Sequence, residues 1–153
     1  MGDRSSSQAV NQDEVLIVED DNLLASAIKR NLEVRGYGAT IAAGADDANR
    51  LITPAFPNMV LLDIDLPDGL GWDVARRLRA VGNDACVIVI SGMRPNERLV
   101  TETGCRGFLE KPFPIEALIR QVEQALHPQS DARREAELLE DAGLQPSLPD
   151  GAT

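Results

Sequence analysis

Met59-Val60-Leu61-Leu62-Asp63-Ile64 sets four apolar residues directly against a carboxylate. An apolar run this short, entered from Pro54 and Pro57, reads as a strand buried on both faces, as in a parallel sheet covered by helices. Three other runs resemble it: Val15-Leu16-Ile17-Val18, Cys86 to Ile90, and Gly107 to Leu109. Each runs out at polar chemistry, namely Glu19-Asp20, Asp63, Ser91 and Lys111. Ligands of open α/β sheets bind in the crevice beyond the carboxyl ends of the strands, so residues far apart in sequence can meet in one pocket.

Working outward, apolar runs alternate with helical patterns about five times, which predicts βα units and a doubly wound parallel sheet with helices on both faces. A first helix follows Asp21, with Leu23/Leu24, Ala27/Ile28 and Asn31/Leu32 at helical spacing until Gly36 stops it. Ala39–Ala42 is a weak second strand, and Asp46–Ile52 a short helix. Leu70–Ala80 carries Val74, Leu78 and Val81 as an apolar stripe. Pro95–Thr103 has room for only about two helical turns, with Pro95 at the first helical position. Pro114 opens the last core helix, whose Ile115, Leu118, Ile119, Val122 and Leu126 form one face.

These elements divide the chain of 153 residues into a Ser-rich leader, 1–12, expected to be disordered, a domain over 13–127, and an acidic extension over 128–153. The extension holds six acids against two arginines from residue 129 on, and its pattern predicts a helix over 130–142, capped by Ser130 and stopped by Gly143. A net charge of −10 without a Lys/Arg cluster argues against a nucleic-acid partner. No run reaches membrane-spanning length, and residues 1–12 lack the apolar core of a signal peptide, so the expected location is cytoplasmic. Cys86 in a strand and Cys105 at a helix end have no disulfide or zinc spacing and read as structural thiols.

Glu19, Asp20 and Asp63 share one mouth if the strands of the first and third units are neighbours. At about 5 Å separation and an effective dielectric near 20, each pair of like charges costs about 3 kcal/mol, a cost that a divalent cation removes. Hard oxygen donors with room for water suit Mg²⁺, or Mn²⁺, better than a full Ca²⁺ cage. Strand-end acids are commonly solvated turn residues, but an Asp flush with an apolar strand needs a partner. A phosphoryl group on Asp63 would have its three oxygens met by the Ser91 hydroxyl, the Lys111 ammonium and the metal. Lys111-Pro112 also admits a cis bond that would aim the lysine inward.

With these residues in place, the sequence resembles the receiver domain of bacterial two-component response regulators. The resemblance covers roughly residues 13–127 and is carried by Val15–Asp21, Leu61–Gly69, Ile88–Gly92 and Gly107–Phe113. It implies the strand order 2-1-3-4-5, a topology for which a protein of this kind is a standard example. It also implies a phosphoryl group accepted on Asp63 from a histidine kinase or phosphotransferase. Mg²⁺ would be held by Asp20, Asp63 and the backbone carbonyl of Asp65, with Glu19 reaching it directly or through water. Ser91 and Phe108 would act as the switch that alters the surface of the fourth helix, fifth strand and fifth helix, a face suited to a homodimer. The spacing from Ser91 to Lys111 is shorter than the family pattern, and the loss falls around the fourth helix. The Asp65 side chain either faces the phosphoryl group, changing its hydrolysis rate, or is a solvated turn acid. Trp72 and Phe113 read as packing residues.

Two other classes compete. Asp63-Ile64-Asp65 matches the Asp-x-Asp signature of haloacid dehalogenase-type phosphatases, which also use an Asp nucleophile and Mg²⁺; that signature, however, follows the first strand of its fold. A receiver-like adaptor working without phosphorylation is the second. The expectation is a phosphoacceptor signalling protein, not an enzyme in the ordinary sense, though it catalyses its own phosphorylation and dephosphorylation. It would act through protein contacts without a DNA-binding output domain, either as a stand-alone receiver or as a receiver fragment of a hybrid histidine kinase.

Overall fold

The computed structural model describes residues 13–143. In chain order it comprises β1 (Glu14–Val18), α1 (Asn22–Val34), β2 (Gly38–Ala42), α2 (Ala45–Leu51), β3 (Met59–Asp63), α3 (Gly71–Ala80), β4 (Cys86–Ser91), α4 (Glu97–Thr103), β5 (Cys105–Glu110), α5 (Ile115–Leu126) and α6 (Pro128–Asp141). The five strands form one sheet in the order β2-β1-β3-β4-β5, every pair parallel. The expected leader, 1–12, and the end of the acidic extension, 144–153, lie outside the described residues.

Side chains alternate across a strand, so the apolar runs feed two cores. Leu16, Val18, Val60, Leu62 and Val87 meet Ala48 of α2 and Val74, Ala75 and Leu78 of α3. Val15, Ile17, Met59, Leu61, Ile88 and Ile90 meet Ala25, Ile28 and Leu32 of α1 and Leu118, Ile119 and Val122 of α5 on the other face. Leu61 is fully enclosed; truncating such a residue to Ala costs about 2–5 kcal/mol. Strand β2 lies at the edge and is mostly half-buried, which is why its sequence pattern is faint.

Local chemistry sets the ends. The Asp21 carboxylate accepts from the N–H groups of Leu23 and Leu24 at 3.0 and 3.2 Å and caps α1. Gly36 follows with φ of 90°, a left-handed turn that glycine takes without penalty.

Several boundaries differ from the sequence reading. Pro95 is not in α4: Asn96 caps that helix by accepting from Arg98 N at 2.8 Å, so it starts at Glu97. Cys105 opens β5 instead of closing a helix, because the left-handed Gly104 has already ended α4. Leu70 belongs to a small antiparallel hairpin, Asp65–Leu66 with Gly69–Leu70, and α3 begins after it. Helix α6 starts at Pro128, directly after His127, so Ser130 lies inside it and does not cap it; Gly143 follows with φ of 71°.

Candidate phosphoacceptor site

Glu19, Asp20, Asp63, Ser91 and Lys111 come together at the carboxyl end of the sheet. Strand β1 is prolonged by one bond, from Glu19 N to the carbonyl of Ala42 at 3.1 Å, which turns the Glu19 side chain inward, where it is fully buried. Asp20 stays exposed. Asp63 is the last residue of β3, paired in register with Ile90 and 5% exposed. Ser91 ends β4 and is also buried; its carbonyl accepts from Lys111 N at 2.8 Å, so the serine and the lysine are tied through the backbone.

The Lys111 ammonium is shared. Nζ donates to Glu19 Oε2 at 2.7 Å and to Asp63 Oδ2 at 3.0 Å. The other oxygens are held by the backbone: Glu19 Oε1 accepts from Asp21 N at 3.1 Å, and Asp63 Oδ1 from Asp65 N at 3.0 Å. Burial pushes the Glu19 carboxyl up, partly offset by its bonds to Lys111 and to Asp21 N and reinforced by the charge of Asp63. For Lys111, burial pulls downward, yet the hydrogen bonds to Glu19 and Asp63 prevail and hold the ammonium above its ordinary value. The peptide between Lys111 and Pro112 is cis.

One oxygen from each of Glu19, Asp20 and Asp63 lies within 4.8 Å of the others. Three carboxylates against one ammonium leave two negative charges uncompensated when all are ionised, and an all-oxygen donor set fits a hard divalent cation such as Mg²⁺ or Mn²⁺. Asp65 lies in the hairpin with its side chain exposed. The Ser91 hydroxyl accepts from Met93 N at 3.2 Å, so its proton is what it has to offer a phosphoryl oxygen.

Farther along β5, Phe108 is half-buried and borders a cleft with Arg94, Pro95, Val100 and Thr101 beside the short α4; its carbonyl accepts from Gln121 Nε2 at 3.3 Å. Trp72 is buried at the start of α3, and Phe113 packs against the core under α5.

Sequence reasoning passed over two residues, Asp68 in the loop after β3 and Gly71 at the start of α3. Gly71 N donates to Ile64 O at 2.8 Å, and a Cβ on Gly71 would overlap the Asp63 carbonyl and come within 2.8 Å of Ile64 Cα. Asp68 reaches across to the start of α2, accepting from Ala45 N at 2.7 Å and Asp46 N at 3.0 Å. The available signal was Gly44, which precedes α2 without a side chain to cap it.

A parallel sheet in this order, with an inward Asp on its central strand flanked by acids, a hydroxyl and a lysine, defines a receiver-type signalling domain. The sequence model of the response regulator receiver domain matches residues 15–123, and the chain belongs to that family. It is 29% identical over 137 residues to the response regulator MprA of Mycobacterium avium, covering 86% of this chain and 60% of the relative. The chain thus spans about 60% of the length of that curated relative. Among solved structures, the non-phosphorylated HemR receiver domain of Leptospira biflexa is 30% identical with a TM-score of 0.71, over 76% of this chain and 95% of that one. A CheY-like receiver domain protein from Methanospirillum hungatei is 27% identical with a TM-score of 0.70, over 79% and 98%. Membership sets aside the phosphatase alternative, and Asp63 ends the third strand in chain order, where that fold would need its Asp-x-Asp after the first. Among the described residues no helix is long and apolar enough to cross a membrane.

Proposed function

We propose that Asp63 accepts a phosphoryl group from the phosphohistidine of a histidine kinase or phosphotransferase. Asp63 attacks phosphorus through a carboxylate oxygen, the phosphorus–nitrogen bond breaks, and the histidine leaves with its electron pair. Lys111, already 3.0 Å from Asp63 Oδ2, is placed to follow the charge onto one phosphoryl oxygen, and Ser91 donates to a second. A Mg²⁺ or Mn²⁺ ion on Asp20, Asp63 and the Asp65 carbonyl, with Glu19 direct or through water, would neutralise the carboxylates and the third oxygen. The observation that carries this reading is one ammonium held between two buried carboxylates, Glu19 and Asp63, at the sheet's carboxyl edge.

Phosphorylation adds nearly two negative charges, and movement of Ser91 and Phe108 converts them into a new balance between two arrangements of the α4, β5 and α5 face. Output then passes through protein contacts at that face, a homodimer included, in the cytoplasm and without nucleic acid at this domain, as the charge of −10 supports. Hydrolysis of the phosphoryl group at the same site resets the signal.

The test is incubation with acetyl phosphate and Mg²⁺ followed by intact-mass measurement. One added phosphoryl group is expected, and none in Asp63→Asn. Equal labelling of that variant rejects Asp63 as acceptor.

A further inference from the structure

The loop from Asp63 to Gly71 is fastened at two places. At its base, Gly71 lies against the Asp63–Ile64 backbone so closely that any side chain would displace one or the other. At its tip, both oxygens of Asp68 are engaged by the N–H groups of Ala45 and Asp46, 22 or more residues away. The approach passes close to Gly44, where a Cβ would stand 2.6 Å from Asp68 Oδ1 and push that carboxylate aside. The segment that receives Asp68 is also the one that holds the acidic pair, since Glu19 N is bonded to the carbonyl of Ala42, just before Gly44. The two acid-bearing loops, Glu19–Asp20 and Asp63–Asp65, are thereby moored to one stretch, Ala42–Asp46. Lys111 offsets one of the three charges, and the mooring holds the two loops against the repulsion that remains.

We infer that Asp68 is a positioning residue for the metal and phosphoryl site, its carboxylate clamping the acceptor loop to the start of α2 so that the ligand oxygens stand ready. The inference rests on the function proposed above. A site whose ligands are fixed beforehand spends little of its binding free energy on closing. Removing the clamp therefore weakens metal binding first, and phosphoryl transfer through it. A residue that merely stabilised α2 would alter folding and leave the metal affinity of the folded protein unchanged.

The experiment is a Mg²⁺ titration of the full chain at constant ionic strength, followed by fluorescence of Trp72, the sole tryptophan, alongside urea unfolding of each variant. Asp68→Ala should raise the Mg²⁺ dissociation constant about tenfold, the effect typical of losing a residue that orients metal ligands. Its labelling by acetyl phosphate should recover at saturating Mg²⁺. Asp68→Asn, which keeps an oxygen for Ala45 N, should fall between it and wild type. Ala48→Gly loosens α2 without touching the clamp and should lower stability while keeping the wild-type affinity. An unchanged affinity in Asp68→Ala, or an equal loss in Ala48→Gly, overturns the inference while the acceptor assignment stands. A wild-type chain that neither responds to Mg²⁺ nor labels overturns both. If Asp68→Ala does not fold, Gly44→Ala, whose Cβ would push the Asp68 carboxylate aside, carries the same comparison.

Discussion

In the proposed function Lys111 does two jobs, one before phosphorylation and one after. Before phosphorylation its ammonium offsets the repulsion among Glu19, Asp20 and Asp63; afterwards it is positioned to follow the phosphoryl charge. Removing one partner of a fully buried ion pair costs 3–5 kcal/mol, and the partial exposure of Lys111 reduces that, so Lys111→Ala should lose about 2 kcal/mol in urea unfolding without metal. Mg²⁺ should restore part of the loss, because a cation on the same oxygens replaces the missing charge. Asp63 should still label, since the nucleophile is intact, while phosphorylation no longer alters the surface around Phe108. Phospho-dependent partner binding of wild-type strength in Lys111→Ala would contradict this assignment.

Helix α2 shows how an element of seven residues is held by something outside itself. The N–H groups of Asp46 and Ala45 keep the Asp68 carboxyl below its ordinary value near 3.8. The unfolded chain therefore takes up the proton more readily than the folded one, so the contribution is complete above the ordinary value and is lost as pH falls through the lower folded one. The stability gap between wild type and Asp68→Ala should be constant well above the ordinary value of 3.8 and narrow as pH falls below it. A gap unchanged through that fall would mean that the carboxylate charge is not what holds the loop. No periodicity announces such a clamp, because its partners sit in different elements. The apolar runs of β1, β3 and β4 and the stripe of α5 were legible because burial on both sheet faces or on one helix face writes a repeat into the sequence. The acid pair, Asp63, Ser91 and Lys111 were legible because each stands where such a run stops. The hairpin Asp65–Leu70 was not, since two residues per strand carry no pattern, and the start of α6 was misplaced because Ser130 looks like a cap where Pro128 already opens the helix.

Across the whole molecule, the site and the start of α6 sit at opposite ends of the sheet. His127, the junction between α5 and α6, stacks on Tyr37 with ring centroids 6.1 Å apart, and its Nε2 lies 3.2 Å from Asp13 Oδ2. Asp13 precedes β1 and Tyr37 precedes β2, so both mark the amino ends of neighbouring strands, and β1 leads at its other end to Glu19 and Asp20. From that anchor α6 leaves beside α5, with Pro128 bordering a cleft lined by Arg106, Gly107 and Gln121, and with Leu138 70% exposed. An acidic helix beginning next to β5 and α5, and presenting a leucine to solvent, is placed to influence contacts at the output face without reaching Asp63. Deleting residues 129–153 should therefore leave the rate and extent of Asp63 labelling unchanged while altering self-association, read by sedimentation before and after phosphorylation, or affinity for the kinase. If the truncated protein matches the full chain in labelling, association and affinity alike, α6 is a solvated appendage and the output lies wholly within the receiver fold.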